Sequence, residues 1–565
     1  MPLARSVRQP GRAASVDFTI GSVQEALADA YPDRQVLVQG QVRCTAAALT
    51  ERTRRVAHVL RDAGLGAHTE RALLAPYESA QDHLALYLHD SPEYLEAMLG
   101  AYKARVAPYN VNYRYVAGEL HYVLAAGRPR GVVYHGAFTP VLAEVLPSLP
   151  DIKALIRVDD GSGHPLLPGA IDYEDALEAA SPDGPDVAWS PDDLYILFTG
   201  GTTGMPKAVL WRQADVMVAG MSVINTRRGV EWSTLDELVE AAAKPVFERT
   251  LVAPPLMHGA GQWAAFGALL SGGTVFLPTV PDRRDPADLL STIERERVQV
   301  LVIVGDAFAR PLVDELRRTP YRVDSLRVLI TGGAPLTDTV RSSLLELVPG
   351  LTIIDSMGSS EGGTQARGRT SGHDGLPPGC FRPVAGTGVV DDDRSRLLPP
   401  GHDGDGWLAT AGRIPLGYLD DPGKTARTFP VINGVRMAVP GDRARHLADG
   451  VIQLLGRDSA TINSGGEKIF AEEVESAILP HADVADVTVV GRPSERWGSE
   501  VVAVVAARPG AALTSDDILA VAAERLARYK LPKQVVFVDQ IRRSPAGKPD
   551  YRWAQQVAVE AKPLQ

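Results

Sequence analysis

A chain of 565 residues, 45% hydrophobic and 22% charged, is too long for one core and too apolar to stay disordered, so it is expected to divide into two to four domains. A net charge of −11 argues against nucleic acid as a partner, and two cysteines, Cys44 and Cys380, argue against a disulfide framework or a Cys-based zinc site. Arg5, Arg8 and Arg12 are followed by no apolar stretch, and no run reaches the ~18–20 apolar residues that span a bilayer; a cytoplasmic protein without signal peptide or membrane span is expected.

Residues 1–16 read as a basic, disordered tail. From Val23 onward helical patterns alternate with short apolar strands. Residues 50–60 place Val56, Val59 and Leu60 on one side, residues 93–102 place Tyr94, Leu95, Met98 and Leu99 together, and residues 131–134 follow as a strand. This rhythm predicts an α/β fold whose βα units pack on a mostly parallel sheet.

Residues 194–198 form an apolar run expected to become a buried strand, which breaks into Thr199-Gly-Gly-Thr-Thr-Gly-Met-Pro-Lys207. Glycines let backbone N–H groups turn toward an anion, threonine hydroxyls add donors, and Lys207 brings positive charge. The pattern suits a polyphosphate cradle, although an ordinary Gly/Thr turn has a similar composition. Met205-Pro206 separates Gly204 from Lys207, so this is not the Walker arrangement.

Farther on one device repeats. Residues 300–304 end in Gly305-Asp306, residues 328–330 end in Thr331-Gly-Gly-Ala-Pro335, and residues 351–354 end in Asp355-Ser-Met-Gly-Ser-Ser-Glu361. Ligands of open α/β sheets gather at the carboxyl ends of strands, so these three turns can line one pocket. An amphipathic helix is expected at 337–347. The Gly-, Pro- and Asp-rich stretch from about 372 to 457 reads as a separate β-rich subdomain, completing a large domain over 17–457. Residues 458–565 read as a small α+β domain, with helices at 472–479 and 515–527, Thr514 as N-cap, and strands at 487–490, 501–505 and 535–538.

Taken in order, these segments resemble the adenylate-forming superfamily of acyl-CoA synthetases, luciferases and non-ribosomal adenylation domains. The segment from Thr199 through Gly200, Gly201, Thr202, Thr203 and Gly204 to Lys207 looks like the phosphate loop. Pro255-Leu-Met-His258-Gly259 looks like the acyl-pocket motif. Gly333, Ala334 and Pro335, with Asp355, Ser356, Met357, Gly358, Ser359, Ser360 and Glu361, look like two adenine-side turns. Pro440-Gly-Asp442 looks like the ribose motif, Gly456-Arg457 opens the hinge, Ser464-Gly-Gly-Glu-Lys468 resembles the thioester-phase loop, and Ser544-Pro-Ala-Gly-Lys548 resembles the C-terminal lysine loop.

The resemblance implies activation of an acid by ATP through an adenylate, with pyrophosphate release. Attack on the α-phosphate builds charge on phosphorus and calls for donors and cations rather than a nucleophilic side chain. Thr199, Thr202 and Thr203 would hold the departing phosphates. Glu361 is the candidate Mg²⁺ ligand, or else a turn carboxylate. Asp442 is the candidate for the ribose hydroxyls, with Arg457 adding a donor or forming a salt bridge. Lys548, delivered when the small domain closes, would meet the α-phosphate, unless it is a surface lysine. His258 would gate or contact the acid, or sit in the core. Gly259, Ala260 and Gly261 beside Trp263 and Phe266 suit either a roomy apolar pocket or close helix packing.

Relatives that activate α-amino acids carry an aspartate where this chain reads Pro-Leu-Met-His-Gly-Ala, which disfavours an amino-acid substrate. Within the superfamily the resemblance runs to actinobacterial long-chain and steroid side-chain acyl-CoA synthetases, which implies a fatty or steroid acid, CoA as acceptor, and a possible homodimer. A second reading keeps the adenylation and activates nitrite for transfer to an aromatic amine. Three positions depart from the pattern: Ala208 follows the motif lysine in place of glycine; Met357 stands where an aromatic commonly stacks on adenine, replacing stacking by a thioether contact; and Ser459 takes the hinge position usually held by aspartate or lysine.

Overall fold

The structure, a computed structural model, describes residues 17–199, 206–246, 248–372, 374–377, 379–457, 461–464, 467–494, 498–526, 528–544, 547 and 549–561. The basic tail of residues 1–16 therefore lies outside the described residues.

The apolar runs of the middle segment form parallel strands. Arg249–Val252, Val300–Ile303, Val328–Gly332 and Thr352–Ser359 lie side by side with Thr274–Leu277 and Gln35–Gln39, each neighbouring pair parallel. All four residues of Val300–Ile303 are buried, as expected of a strand covered on both faces. Helices Gly305–Arg318 and Asp338–Leu347 contribute Phe308, Leu312, Val340 and Leu344 to the cluster that covers Leu301, Leu329 and Ile353. A second parallel sheet, from His83–Tyr87, Ala107–Asn110, Pro129–His135, Ala154–Val158 and Ile171–Asp172, occupies the N-terminal third.

Two expectations change. Residues 355–359, expected as a turn after the strand, continue the strand Thr352–Ser359, and the chain reverses only at residues 360–362. The antiparallel strand Gly363–Ser371 supplies partners to this Gly- and Ser-rich stretch, with a bulge at Met357/Gly358, and tertiary pairing overrides its weak strand propensity. The β-rich segment is also joined edge to edge to the parallel strands. Cys380–Pro383 pairs with Gly363–Ser371 on one side and with Ile452–Arg457 on the other, so among the described residues the largest sheet runs through 16 strands.

Toward the C-terminus, Val484–Ser494 and Gly498–Ala507 make an antiparallel hairpin extended by Gln534–Val538 in parallel. Side-chain alternation divides it. Val487, Val489, Val501, Ala503 and Val505 pack under helices Ala471–Ile478 and Ser515–Ala523, whereas Val490, Val502, Val504 and Ala506 pack under Tyr551–Glu560. Thr514 caps its helix in a capping box with Asp517. Among the described residues no helix is long and apolar enough to cross a membrane.

Glu475, on Ala471–Ile478, is buried beneath this hairpin and accepts hydrogen bonds from Val489 N (2.8 Å) and Thr488 Oγ1 (3.1 Å). Burial, reinforced by the nearby Glu472 carboxylate, pushes its carboxyl from 4.5 up to about 8. The folded state thus retains a proton that the unfolded chain has lost, and stability on this account falls as pH rises from the unfolded value through the folded one. Glu475→Gln keeps the acceptor and is expected to remove up to about 1.4 kcal/mol of lost stability per pH unit across that window. Hydrogen exchange of the Val484–Ser494 hairpin against pH reads it; a slope identical in both proteins would reject the assignment.

Candidate active site

Strands Leu194–Thr199 and Lys207–Arg212 pair antiparallel with Thr199 opposite Lys207. Gly200, Gly201, Thr202, Thr203 and Gly204 lie outside the described residues, while Thr199 and Lys207 fix the two ends of their loop. The base is anchored by Asn110, at the carboxyl end of a strand in the other sheet. Its amide donates to Phe198 O (3.0 Å) and Met257 O (2.7 Å), and its carbonyl accepts from Phe198 N (2.8 Å). Every polar group of that buried side chain is thereby spent on holding the loop strand to the segment before His258.

Glu361, in the turn after strand Thr352–Ser359, is held from the side of this hairpin. A third strand, Gly417–Tyr418, pairs with Lys207–Arg212 and sets Tyr418 opposite Val209. Tyr418 Oη donates to Glu361 Oε1 at 2.8 Å, and the fully buried Trp211 donates its indole N–H to Ser360 O at 2.9 Å. The candidate metal ligand is thus tied twice to the sheet that presents the loop. Lys207 Nζ lies 3.4 Å from Asp421 Oδ2, and Asp421 caps helix Pro422–Thr428 through Lys424 N (2.9 Å).

On the adenine side the strand ends touch through backbone. A Cβ on Gly332 would lie 2.4 Å from Ser356 O, and one on Gly305 (φ +52°) would lie 2.5 Å from Pro335 O, so both approaches require glycine. They bring residues 304–306, 332–335 and 356 to one edge. The Asp306 carboxylate accepts from Thr337 N and Oγ1, each at 2.8 Å, and pairs with Arg310 at 2.8 Å; it is a structural cap. Asp355 meets Arg341 at 3.2 Å, and burial pushes its carboxyl up to about 6 against the pull of that guanidinium. Met357 faces inward, 8% exposed, against Ala366, Phe381 and Ile452. Its side chain packs in that cluster at the end of the strand expected to border adenine.

His258 occupies the N-cap position of helix Gly259–Leu269. Asp90, whose carboxyl burial pushes up to about 7, accepts from Leu256 N at 2.7 Å and fixes the approach to it. Two of the small residues lie close to their neighbours, a Cβ on Gly261 falling 2.4 Å from Pro255 O and one on Gly259 2.8 Å from Leu197; Phe266 is wholly buried, Trp263 half-buried and Ala260 exposed.

Asp442 and Arg457 stand directly opposite each other in the antiparallel pair Asp442–His446 and Ile452–Arg457. The candidate ribose residues, 15 positions apart in sequence, are therefore neighbours in register. Ser459 and Lys548 lie outside the described residues. Gly547, just before the lysine, does not: a Cβ there would lie 3.5 Å from Ala307 Cβ and from Val304, at the end of Val300–Ile303. Arg543 donates to Gly547 O at 2.9 Å and grips Asp486 with two bonds of 2.6 Å.

Asn110, Trp211, Tyr418, Asp421 and Lys424 were not expected from sequence. The Asp421-Pro422 pair is a readable helix start, but Asn110 has no local signature.

A mixed α/β large domain carrying a phosphate-loop hairpin, followed by a small C-terminal domain, defines an adenylate-forming enzyme. The chain belongs to the AMP-binding enzyme family, which matches residues 24–419, with the AMP-binding enzyme C-terminal domain matching 473–548. It is 53% identical to the medium-chain acyl-CoA ligase Mig of Mycobacterium avium over 96% of this chain and 98% of that one. It is 39% identical to a 3-oxocholest-4-en-26-oate–CoA ligase of Rhodococcus rhodochrous over 95% of each chain. In fold it is similar to ATP-bound MatB from Rhodopseudomonas palustris (TM-score 0.78, 23% identity, 96% of this chain and 99% of that one) and to the anthranilate CoA ligase AuaEII (TM-score 0.79, 20% identity, 96% and 97%).

Asn110→Ala leaves Phe198 N–H and two carbonyls without that partner in a buried place, where each unsatisfied group costs about 1–3 kcal/mol. kcat/KM for ATP is expected to fall roughly tenfold or more, with a lower melting temperature. Steady-state pyrophosphate release measures the first; wild-type kinetics would reject the anchoring role.

Proposed function

We propose that the chain is an AMP-forming acid–CoA ligase acting on medium- to long-chain fatty acids or steroid side-chain acids. The observation that carries this reading is the tie between the candidate phosphate-loop hairpin and Glu361, made by Tyr418 Oη on the carboxylate and by the Trp211 indole on Ser360 O. Full-length similarity to a medium-chain acyl-CoA ligase and to a steroid-acid CoA ligase supports the substrate class.

In the first step a carboxylate oxygen attacks the α-phosphorus of ATP, the bond to the bridging oxygen breaks, and pyrophosphate leaves. The backbone and hydroxyl groups of the 199–207 loop, with Lys207, bind the β- and γ-phosphates and take up the charge that accumulates there. Lys548 supplies positive charge to the carboxylate and α-phosphate. Asp442 and Arg457 orient the ribose, and His258 borders the acid. In the second step the CoA thiol attacks the acyl carbon, loses its proton, and AMP departs. Among the described residues there is no cluster of three or more His, Cys, Asp or Glu able to hold a metal. Glu361 offers one oriented carboxylate, which fits Mg²⁺ because that ion takes one or two carboxylates and completes its shell with phosphate oxygens and water. Mg²⁺ there would neutralise phosphate charge.

Decanoate, palmitate, a 3-oxo steroid acid, and nitrite with an aromatic amine, each with and without CoA, form the deciding panel. CoA-dependent AMP formation from the fatty or steroid acids is expected; turnover confined to nitrite would overturn the reading. Lys548→Ala should cut ATP–pyrophosphate exchange by on the order of 10²-fold or more while ATP still binds, as measured by calorimetry. Near-normal exchange would remove the lysine from the mechanism.

A further inference from the structure

Beside the loop lies a second cation that the reaction as described does not use. Lys424 sits in helix Pro422–Thr428, immediately after the strand that carries Tyr418. Its ammonium rests 4.1 Å from the centroid of the Tyr418 ring, the ring whose hydroxyl donates to Glu361 at 2.8 Å. One carboxylate links it to the loop lysine: Asp421 accepts Lys424 N on Oδ1 (2.9 Å) and meets Lys207 Nζ on Oδ2 (3.4 Å). Tyr418 pairs with Val209 on the strand that begins at Lys207, so the ring under Lys424 and the loop lysine belong to the same three-stranded sheet.

Lys424 faces charges of both signs, the Glu361 and Asp421 carboxylates and the cations Lys207 and Arg427. Asp421 is engaged by Lys207 and by the helix cap, and Glu361 is engaged by Tyr418. Burial and the like charge of Lys207 hold the Lys424 ammonium below the ordinary lysine range, with the Glu361 and Asp421 carboxylates opposing. A half-buried ammonium on an aromatic face, next to a phosphate-binding lysine, is poised for an additional anion.

We propose that Lys424 is a second binding cation for the leaving pyrophosphate, acting with Lys207 from a seat on the Tyr418 ring. The inference rests on the adenylation reading above. An ammonium held on a strand-anchored ring needs little reorganisation as charge builds on the departing group, which is where preorganised electrostatics contribute most.

The test uses the full-length enzyme in decanoate-dependent ATP–pyrophosphate exchange. Lys424→Met keeps the aliphatic stem and removes the charge; Lys424→Arg keeps the charge and stacks on aromatic rings. Lys424→Met should raise the KM for pyrophosphate about tenfold or more and change the KM for decanoate by less than about twofold, with Lys424→Arg restored to within about threefold of wild type. An unchanged pyrophosphate KM in Lys424→Met would overturn the proposal. So would an equal rise for decanoate, or loss of the folded state in Lys424→Met, since either makes the lysine a structural post. Absence of exchange in the wild-type enzyme would instead reject the adenylation reading, and this inference with it.

Discussion

The Gly- and Thr-rich segment between Thr199 and Lys207 has almost no apolar side chains with which to build a core, so its ends must be positioned by the strands that bracket it. Asn110 is the side chain on which that positioning depends. It exchanges bonds in both directions with Phe198, one residue before the loop, and donates to Met257, one residue before His258. A buried amide that spends its donors and its acceptor in this way fixes two chain segments relative to a third, and losing any one bond leaves a desolvated group behind. The phosphate side and the acid side of the site therefore share one reference point, the carboxyl edge of the N-terminal sheet. The opposite end of the hairpin is secured by Trp211 on Ser360 and Tyr418 on Glu361, so the metal-binding candidate moves only if the three-stranded sheet moves.

The adenine side is built on close backbone approach. Gly305 against Pro335, Gly332 against Ser356, and Gly358 against Gly363 would each bring a Cβ within 2.5 Å of a carbonyl oxygen. Side chains are excluded from these crossings, and the strand ends come near enough together for their turns to share one edge. The antiparallel continuation through Gly363–Ser371 then carries the same sheet to the Asp442–Arg457 pair. The candidate base and sugar elements thus belong to one continuous sheet.

Much of this frame was legible because it obeys short-range rules. The alternation of Val487, Val489 and Val490 with Val501 to Val505 predicts a strand pair with two covered faces, and two distinct cores lie there. Thr514 announces its helix through a capping box. The Gly-rich turns mark strand ends because few other residues tolerate such crossings. What stayed hidden depends on distant partners. Asn110 meets residues 88 and 147 positions away, and nothing in its neighbourhood distinguishes it from a surface asparagine. Residues 355–359 look like a turn until Gly363–Ser371 supplies its ladder. The packing of Met357 against Phe381 depends on the same strand pairing and has no local sequence signal. The small residues after His258 were ambiguous for the same reason: packing against Pro255 and Leu197 cannot be told from an open pocket by size alone.

The contrast between contacts within the C-terminal segment and those it makes with the large domain bears on how Lys548, in its proposed role, would serve one half of a two-step reaction. Arg543 binds Asp486 through two bonds and Gly547 O through a third, so the base of the Lys548 loop belongs to the small domain and travels with it. Against the large domain, Gly547 faces Val304 and Ala307, which even an added Cβ would only approach to 3.5 Å, and Arg508 reaches Asp314 only at 4.0 Å in an exposed setting, where such pairs contribute little. At the junction Gly456 adopts φ +121° and would put a Cβ 2.4 Å from Glu472 Oε2, so the chain passes from one domain to the other through a conformation suited to glycine. In the reaction proposed above, a lysine loop held from within its own domain suits a group that arrives for adenylation and withdraws before CoA attacks.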